Sequence, residues 1–261
     1  MLIMCLVAST VVFAAHGTAG DGEITVTILY DNKAFAPQTA GDWGFSCLVE
    51  GTAKTILFDA GTKPDIFFRN VEALDVDLGE VDLVVISHEH GDHTGALARI
   101  LEQNRGLTVY HPVSFSSQFV SSVTQAGAIS VPVTAPLEIT DDVYLTGEMG
   151  GDIKEQSLIL RTGDGLVVIT GCSHPGIVEI LERTRQILEE EIFMVFGGFH
   201  LLRHPDDEMA EIIERFEQLG VAKCGAMHCT GERQTAAFQE AYGENFVAMG
   251  AGKALTFTAA D

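Results

Sequence analysis

The chain has 261 residues, of which 46% are hydrophobic and 20% charged, and its formal net charge at pH 7 is −22. This composition is typical of a folded globular protein and excludes extended disorder. The acidic excess argues against nucleic acid as a partner, because proteins bind phosphate backbones through Lys and Arg. We therefore expect a small-molecule substrate, and the sequence leaves the oligomeric state open.

The first twenty residues differ from the rest of the chain. Residues 1–20 contain no Lys, Arg, Asp or Glu and include the apolar run Leu2–Ala15. Such a segment predicts a signal peptide, followed by a single domain over residues 21–261. The run is shorter than the roughly 20 residues that span a bilayer, so we expect no stable membrane insertion. Export to the periplasm or medium is the expectation, and a cytoplasmic location would follow if the start is misassigned.

Strands and helices alternate along the chain from residue 23. The β-rich segment Ile24–Tyr30 is followed by a predicted hairpin with strands over 44–49 and 55–58. The apolar run Val81–Ser87 is typical of a strand buried on both faces, and residues 94–103 have helical spacing. This alternation indicates an α/β fold.

The second half of the chain repeats this order. Predicted strands over 166–170, 192–196 and 221–227 lead to His174, His200 and His228, with helices expected over 177–190 and 206–219. After a last helix, two short strands are expected to close the chain. Together with Val81–Ser87, four buried strands thus end in a loop that contains histidine. Open α/β folds place their sites at such strand ends.

The densest group of candidate ligands is the segment His88-Glu89-His90-Gly91-Asp92-His93. In extended backbone, residues i and i+2 point to the same side, so His88 and His90 can converge on one ion. The turn at Gly91 directs Asp92 and His93 toward a second position. Imidazole and carboxylate ligands suit zinc, iron or manganese, and two adjacent ions can activate a water at neutral pH. We expect two divalent ions, with zinc as the first choice.

His88, His90, Asp92 and His93 match the HxHxDH signature, and in this the chain resembles the metallo-β-lactamase superfamily. The resemblance implies a four-layer αββα sandwich with the metals at one edge between two sheets. It also implies that Asp59, in Phe58-Asp59-Ala60-Gly61, supports the metal loop through hydrogen bonds. The alternative for Asp59 is an ordinary turn or helix-cap residue.

The chain departs from the superfamily pattern after the second hairpin. The usual Thr-Gly-Asp, which supplies a bridging aspartate, is here Thr170-Gly171-Cys172, with His174 two residues further on. Either Cys172 as a thiolate or His174 as an imidazole would replace the aspartate, and we favour His174. A buried, inert thiol is the expected state of Cys172. The resemblance makes His228 the final histidine ligand.

Gly-Gly-Phe-His at 197–200, with the surroundings of His174 and His228, resembles one subgroup. These are metal-dependent hydrolases similar to 7,8-dihydropterin-6-methyl-4-(β-D-ribofuranosyl)aminobenzene-5′-phosphate synthase. In that subgroup His200 would bind substrate or shuttle a proton; a capping or packed histidine is the alternative. Asp92 and His200 are therefore the expected catalytic residues, and His111 is expected at the surface.

The expected function is hydrolysis of a small ester or phosphoester through metal-activated water. Two alternatives use the same scaffold: a pterin-related condensation or transfer, and an iron-dependent redox reaction. A metal-binding module without catalysis is a further possibility. Hydrolysis of β-lactams is not implied, because one fold hosts many reactions.

Overall fold

The computed structural model describes residues 22–260, and their strands form two mixed sheets. The strands of the first sheet are β1 (Glu23–Tyr30), β2 (Ser46–Glu50), β3 (Ile56–Phe58), β4 (Leu83–Val85), β5 (Thr108–Pro112), β6 (Ile129–Val133) and β13 (Ala254–Thr258). Their order is β13-β1-β2-β3-β4-β5-β6, and β3 to β6 run parallel. The second sheet contains β7 (Leu137–Thr140), β8 (Val143–Leu145), β9 (Leu158–Thr162), β10 (Gly165–Thr170), β11 (Ile192–Gly198) and β12 (Lys223–Met227). Its order is β12-β11-β10-β9-β8-β7, and β10, β11 and β12 are parallel.

Seven α-helices form in the described part of the chain, and all but the short α2 pack on the outer faces of the two sheets. They are α1 (Pro64–Ala73), α2 (Gly91–Thr94), α3 (Leu97–Gln103), α4 (Ser117–Gln125), α5 (Ile177–Ile187), α6 (Asp206–Gln218) and α7 (Glu232–Tyr242). One apolar core, which includes Phe58 and Phe196, lies between the sheets. A second packs α1, α3 and α4 on the first sheet, and a third packs α5, α6 and α7 on the second. These four layers confirm the αββα sandwich.

Most of the predicted helices and strands form. Two of these elements and the exposure of His111 differ from the prediction. The single helix expected over 94–103 begins earlier and divides into α2 and α3 around Gly95, whose Cα packs so closely on Thr62 that a Cβ would lie 1.9 Å from its backbone oxygen. After α7 only β13 forms as a strand, and Phe246 makes an isolated bridge with Cys224. His111 is buried, not exposed, because its ring hydrogen-bonds the Pro112 carbonyl and Ser130 Oγ.

The predicted signal peptide, residues 1–20, lies outside the described residues. Among the helices of residues 22–260, none is both long enough and apolar enough to cross a membrane.

Candidate metal centre

The loops that follow β4, β10, β11 and β12 meet at one edge of the sandwich and bring the predicted ligands together. Three groups have ligand atoms within 4.8 Å of one another: Asp92, His93, Cys172 and His228; His88, His90 and His174; and Cys172, His174 and His200. Every residue predicted from the sequence as a ligand or catalytic group thus belongs to at least one group. Cys172 and His174 both take part, so the presence of one does not exclude the other.

Asp59 contacts one main group directly and the other through the side chain of Ser87. Its Oδ2 lies 2.7 Å from His93 Nδ1 and accepts a hydrogen bond of 2.7 Å from Ser87 Oγ, while its Oδ1 accepts the Ser87 N–H at 2.7 Å. Because the Ser87 hydroxyl gives its proton to the carboxylate, Ser87 Oγ accepts from His88 Nδ1, 2.9 Å away. The Nδ1 atoms of His88 and His93 therefore carry the protons, and both Nε2 atoms present lone pairs to the centre. Asp59 has the supporting position that the resemblance implies.

His228 is oriented by the end of β1, which the sequence pattern did not connect with the site. Its Nδ1 lies 3.0 Å from Asn32 Oδ1, which also accepts the Gly44 N–H, and Asn32 Nδ2 donates to the His228 carbonyl at 2.9 Å. Asp31 Oδ1 accepts the His228 N–H at 3.2 Å. The amide oxygen of Asn32 fixes the proton on Nδ1, so Nε2 of His228 also faces the centre as a lone pair.

The Nε2 atoms of His93 and His228 are only 3.2 Å apart. Asp92 Oδ2 lies 3.6 Å from the first and 3.4 Å from the second, and Cys172 Sγ is 3.3 Å from His93 Nε2. Burial alone would lower the pKa of His93, but the carboxylates of Asp59, Asp92 and Glu155 raise it above its ordinary value, so this group of residues attracts positive charge. Two ring nitrogens, a carboxylate and a sulfur that converge in this way can share one cation.

The second group contains two imidazoles, those of His88 and His174, that resist protonation. Burial, with the neighbouring histidines, lowers the pKa of His174 to about 4 and holds that of His88 well below its ordinary value. His88 Nε2 and His90 Nδ1 are 3.1 Å apart. His174 Nε2 is buried and has no hydrogen-bond partner in the described part of the chain. This unpartnered ring nitrogen and the two ring nitrogens beside it can bind a metal ion without first losing a proton.

Glu155, absent from the sequence-based site, holds the loop that carries Cys172 and His174. Its carboxylate is fully buried and accepts three backbone N–H groups, from Cys172 at 2.8 Å, Ser173 at 2.9 Å and His174 at 2.8 Å. Burial raises the pKa of Glu155 to about 7 despite these donors. Because no motif surrounds Glu155 in the sequence, only the folded chain shows its role in positioning the loop.

The backbone at the centre adopts conformations that most residues avoid. Positive φ angles occur at Asp59 (57°), Ser173 (64°), His200 (55°) and His228 (49°), which are four of the six such non-glycine residues in the described part of the chain. Left-handed backbone costs free energy at non-glycine residues and is concentrated at functional sites. The strained backbone therefore supports the assignment of a functional site to this edge of the sandwich.

His200 lies at the mouth of the centre, and its ring centroid is 4.3 Å from that of His174. A hydrogen bond with Cys229 raises the pKa of His200 above its ordinary value. Trp43, also missed from the sequence, lies on another side, where its indole N–H donates to Asp92 Oδ2 at 2.8 Å and its ring centroid is 5.1 Å from that of His228. An exposed imidazole and an exposed indole therefore flank the ligand groups.

These features fit a bound metal. Three imidazoles have their Nδ1 protons fixed away from the centre, and a carboxylate and a buried sulfur complete the donor set. Burial raises the pKa of Cys172 well above its ordinary value, so without a cation it is a neutral thiol. His, Asp and Cys together are ligands that zinc and iron accept.

The fold and the site define a class, and residues 44–212 match the model of the metallo-β-lactamase superfamily. The chain belongs to this superfamily of metal-dependent enzymes. It is 27% identical to a 7,8-dihydropterin-6-methyl-4-(β-D-ribofuranosyl)-aminobenzene-5′-phosphate synthase of Methanocaldococcus jannaschii, over 88% of this chain and 95% of that protein.

Solved structures agree with this assignment. A metal-dependent hydrolase of the β-lactamase superfamily is 30% identical, with a TM-score of 0.75 over 89% of this chain and 98% of that one. A metallo-β-lactamase fold protein from Bacillus subtilis has a TM-score of 0.67 at 14% identity, over 89% of this chain and 99% of that one, and shows the likeness of fold.

Proposed function

We propose that the protein is a metal-dependent hydrolase that acts on a small ester or phosphoester. The observation that carries the proposal is the convergence of the Nε2 lone pairs of His93 and His228, 3.2 Å apart, on Asp92 and Cys172. Zinc is the metal we propose, held by His88, His90 and His174 in one group and by Asp92, His93, His228 and Cys172 in the other. Divalent ions at such a site lower the pKa of water and polarise the scissile group.

The chain's own residues supply orientation and a proton. Asp59, Ser87 and Asn32 hold three imidazoles in the tautomer that leaves Nε2 free, and Glu155 holds the 172–174 loop in place. His200, exposed and with a raised pKa, is the proposed proton donor. In hydrolysis, water delivers hydroxyl to the acyl or phosphoryl atom, the bond to the leaving oxygen breaks, and His200 protonates that oxygen and recovers a proton from the water.

The test begins with metal analysis of protein produced in cells supplied with both zinc and iron. Purified protein is then assayed with p-nitrophenyl acetate and bis(p-nitrophenyl) phosphate, before and after treatment with a chelator. We expect bound zinc, chelator-sensitive hydrolysis, and loss of both metal and activity in the double variant His88→Ala/His90→Ala. His111→Gln, which changes a histidine outside the three ligand groups, is the control. Full metal content in the double variant would contradict the ligand assignment.

A second candidate function is a condensation, and the printed name of the Methanocaldococcus jannaschii synthase favours it. A fully zinc-loaded protein that hydrolyses neither probe would support condensation over hydrolysis. Tightly bound iron with visible absorbance would instead direct attention to redox chemistry. Export is also a proposal, because it depends on residues 1–20; N-terminal sequencing of the mature protein tests it.

A further inference from the structure

Two clefts open beside the centre, and they differ in charge. One, of about 530 Å³, contains His174 and His200 with three carboxylates, those of Glu179, Glu208 and Glu211, and one cation, Arg215, which is paired with Glu182. The other, of about 460 Å³, is lined by Trp43, His200, Leu202, Arg203, His204 and Cys229, none of which is acidic. In a chain of net charge −22, the second cleft therefore offers an anion a cationic wall without a carboxylate beside it.

Arg203 gives the second cleft its charge. In the described part of the chain, Arg203 belongs to no ion pair or hydrogen bond, although the sequence has 37 acidic residues. Its backbone is nevertheless fixed on both sides: Arg233 and Gln234 of α7 donate to the His204 carbonyl at 2.7 Å and 3.1 Å, and Gln234 Nε2 also lies 3.3 Å from the Leu202 carbonyl. The cation is thus held at the cleft with its guanidinium unpaired.

Two other residues of this cleft, Trp43 and Leu202, offer exposed and largely apolar surface. Trp43 is 48% exposed and Leu202 is 56% exposed, and both also line the neighbouring cleft near His228. The hydrogen bond from the Trp43 indole to Asp92 fixes the ring next to the ligand groups. A fixed, exposed indole offers its face to a flat or apolar group, and a guanidinium recognises carboxylate, sulfonate or phosphate oxygens.

We propose that the cleft formed by Trp43, Leu202 and Arg203 binds the substrate through an anionic group joined to an aromatic or other flat apolar moiety. The anion pairs with Arg203 and the flat moiety lies against Trp43, which places the adjoining bond near His200. This inference deepens the proposed function, since it assigns a substrate class to the same centre. The other cleft is less favourable for the anion, because three carboxylates, those of Glu179, Glu208 and Glu211, outnumber its one arginine.

A binding assay tests this class independently of catalysis. Trp43 is the only tryptophan in the sequence, so its emission reports on this cleft in the metal-loaded protein. The probes are benzenesulfonate, a weak metal ligand; methyl phenyl sulfone, which keeps the ring and the sulfonyl oxygens but not the charge; and benzyltrimethylammonium. We expect saturable binding of benzenesulfonate, about tenfold tighter than that of the sulfone, because a charge-assisted hydrogen bond is lost with the charge.

Variants separate the two contacts. Arg203→Ala should weaken benzenesulfonate binding about tenfold and sulfone binding by less, because the uncharged sulfonyl oxygens accept a weaker hydrogen bond. Arg105→Ala, which removes another exposed arginine with no ion pair in the described chain, should change neither. Trp43→Leu, followed by calorimetry because the fluorophore is lost, should weaken both probes.

Two outcomes overturn the inference: benzenesulfonate binds no tighter than the sulfone or the ammonium probe, or Arg203→Ala binds it as tightly as the unaltered protein. Hydrolysis of p-nitrophenyl acetate in that case leaves the proposed function intact. Conversely, if the probes bind as expected but the protein shows no hydrolysis, the proposed function is contradicted and the assignment of the anion-binding cleft stands.

Discussion

Substitution of Asp59 by Asn tests whether the proton positions of the histidines prepare the centre for metal. Asn is the least disruptive replacement, because Asp59 has a φ of 57° and Asn tolerates left-handed backbone. The amide oxygen can still accept the Ser87 N–H, but an NH₂ group replaces the oxygen that lies 2.7 Å from His93 Nδ1. Since two donors cannot face each other, His93 must move its proton to Nε2, the atom that faces His228 and Cys172.

A protonated Nε2 is not a ligand. Loss of such a supporting hydrogen bond typically lowers metal affinity 10- to 100-fold, which corresponds to about 1.4 to 2.7 kcal/mol. We expect an effect at the upper end, because Ser87 also contacts the altered atom and orients His88.

Zinc titration by calorimetry measures this effect, alongside chemical unfolding of the chelator-treated protein. Asp82→Asn is the control, since Asp82 accepts the Thr55 N–H and pairs with Lys54 at an exposed position. Zinc affinity of Asp59→Asn equal to that of the unaltered protein would refute the assignment of the tautomers. A large fall in the stability of the metal-free variant, without a fall in affinity, would make Asp59 a purely structural residue.

Three further predictions concern packing, pH and metal loading. Gly95→Ala should destabilise the protein by about 3 kcal/mol, the upper end for overpacking, because its Cβ would meet a backbone oxygen; Gly91→Ala, with open space around it, should show no such loss in the same denaturant titration. In chelator-treated protein, His174 has a pKa of about 4 in the folded state and of 6.5 in the unfolded state. Between pH 6.5 and pH 4 the unfolded state therefore binds more protons at this residue, and the free energy of unfolding decreases as the pH falls through that range. His174→Gln should therefore lose less stability than the unaltered protein between pH 6.5 and pH 4, and equal losses would contradict the shift. Zinc binding should change the emission of Trp43, because its indole N–H donates to Asp92; unchanged emission at full loading would contradict this contact in the metal-bound protein.

The resemblance to the superfamily was sufficient to predict the layers of the fold, and the apolar pattern was sufficient to predict histidines at the ends of strands. Buried parallel strands have a continuous apolar pattern, and their carboxyl ends meet at one edge, so the pattern alone assigned His88, His174, His200 and His228 to one site. The division between α2 and α3 was not predicted, because it depends on the approach of a distant backbone segment to Gly95.

Most of the residues that orient the metal-binding side chains could not be predicted from the sequence. Asp31 and Asn32 follow the end of β1, and the rule applied to the histidines would have identified them if it had been extended to polar residues at all strand ends. Glu155 precedes β9 without a motif, and Trp43 lies in a loop. Their contacts with Cys172 and Asp92 join residues distant in the chain, and only the packed structure defines such pairs.

The shared position of Asp59 limits how the centre can be redesigned. Its carboxylate touches His93 directly and His88 through Ser87, so any change there alters both ligand groups together. Asn32 touches His228 alone among the ligands, whereas Glu155 holds the loop with Cys172 and His174. For the proposed two-ion centre, a variant with one ion is therefore best sought at Asn32, where His228 can be released while Asp59 keeps His88 and His93 aligned.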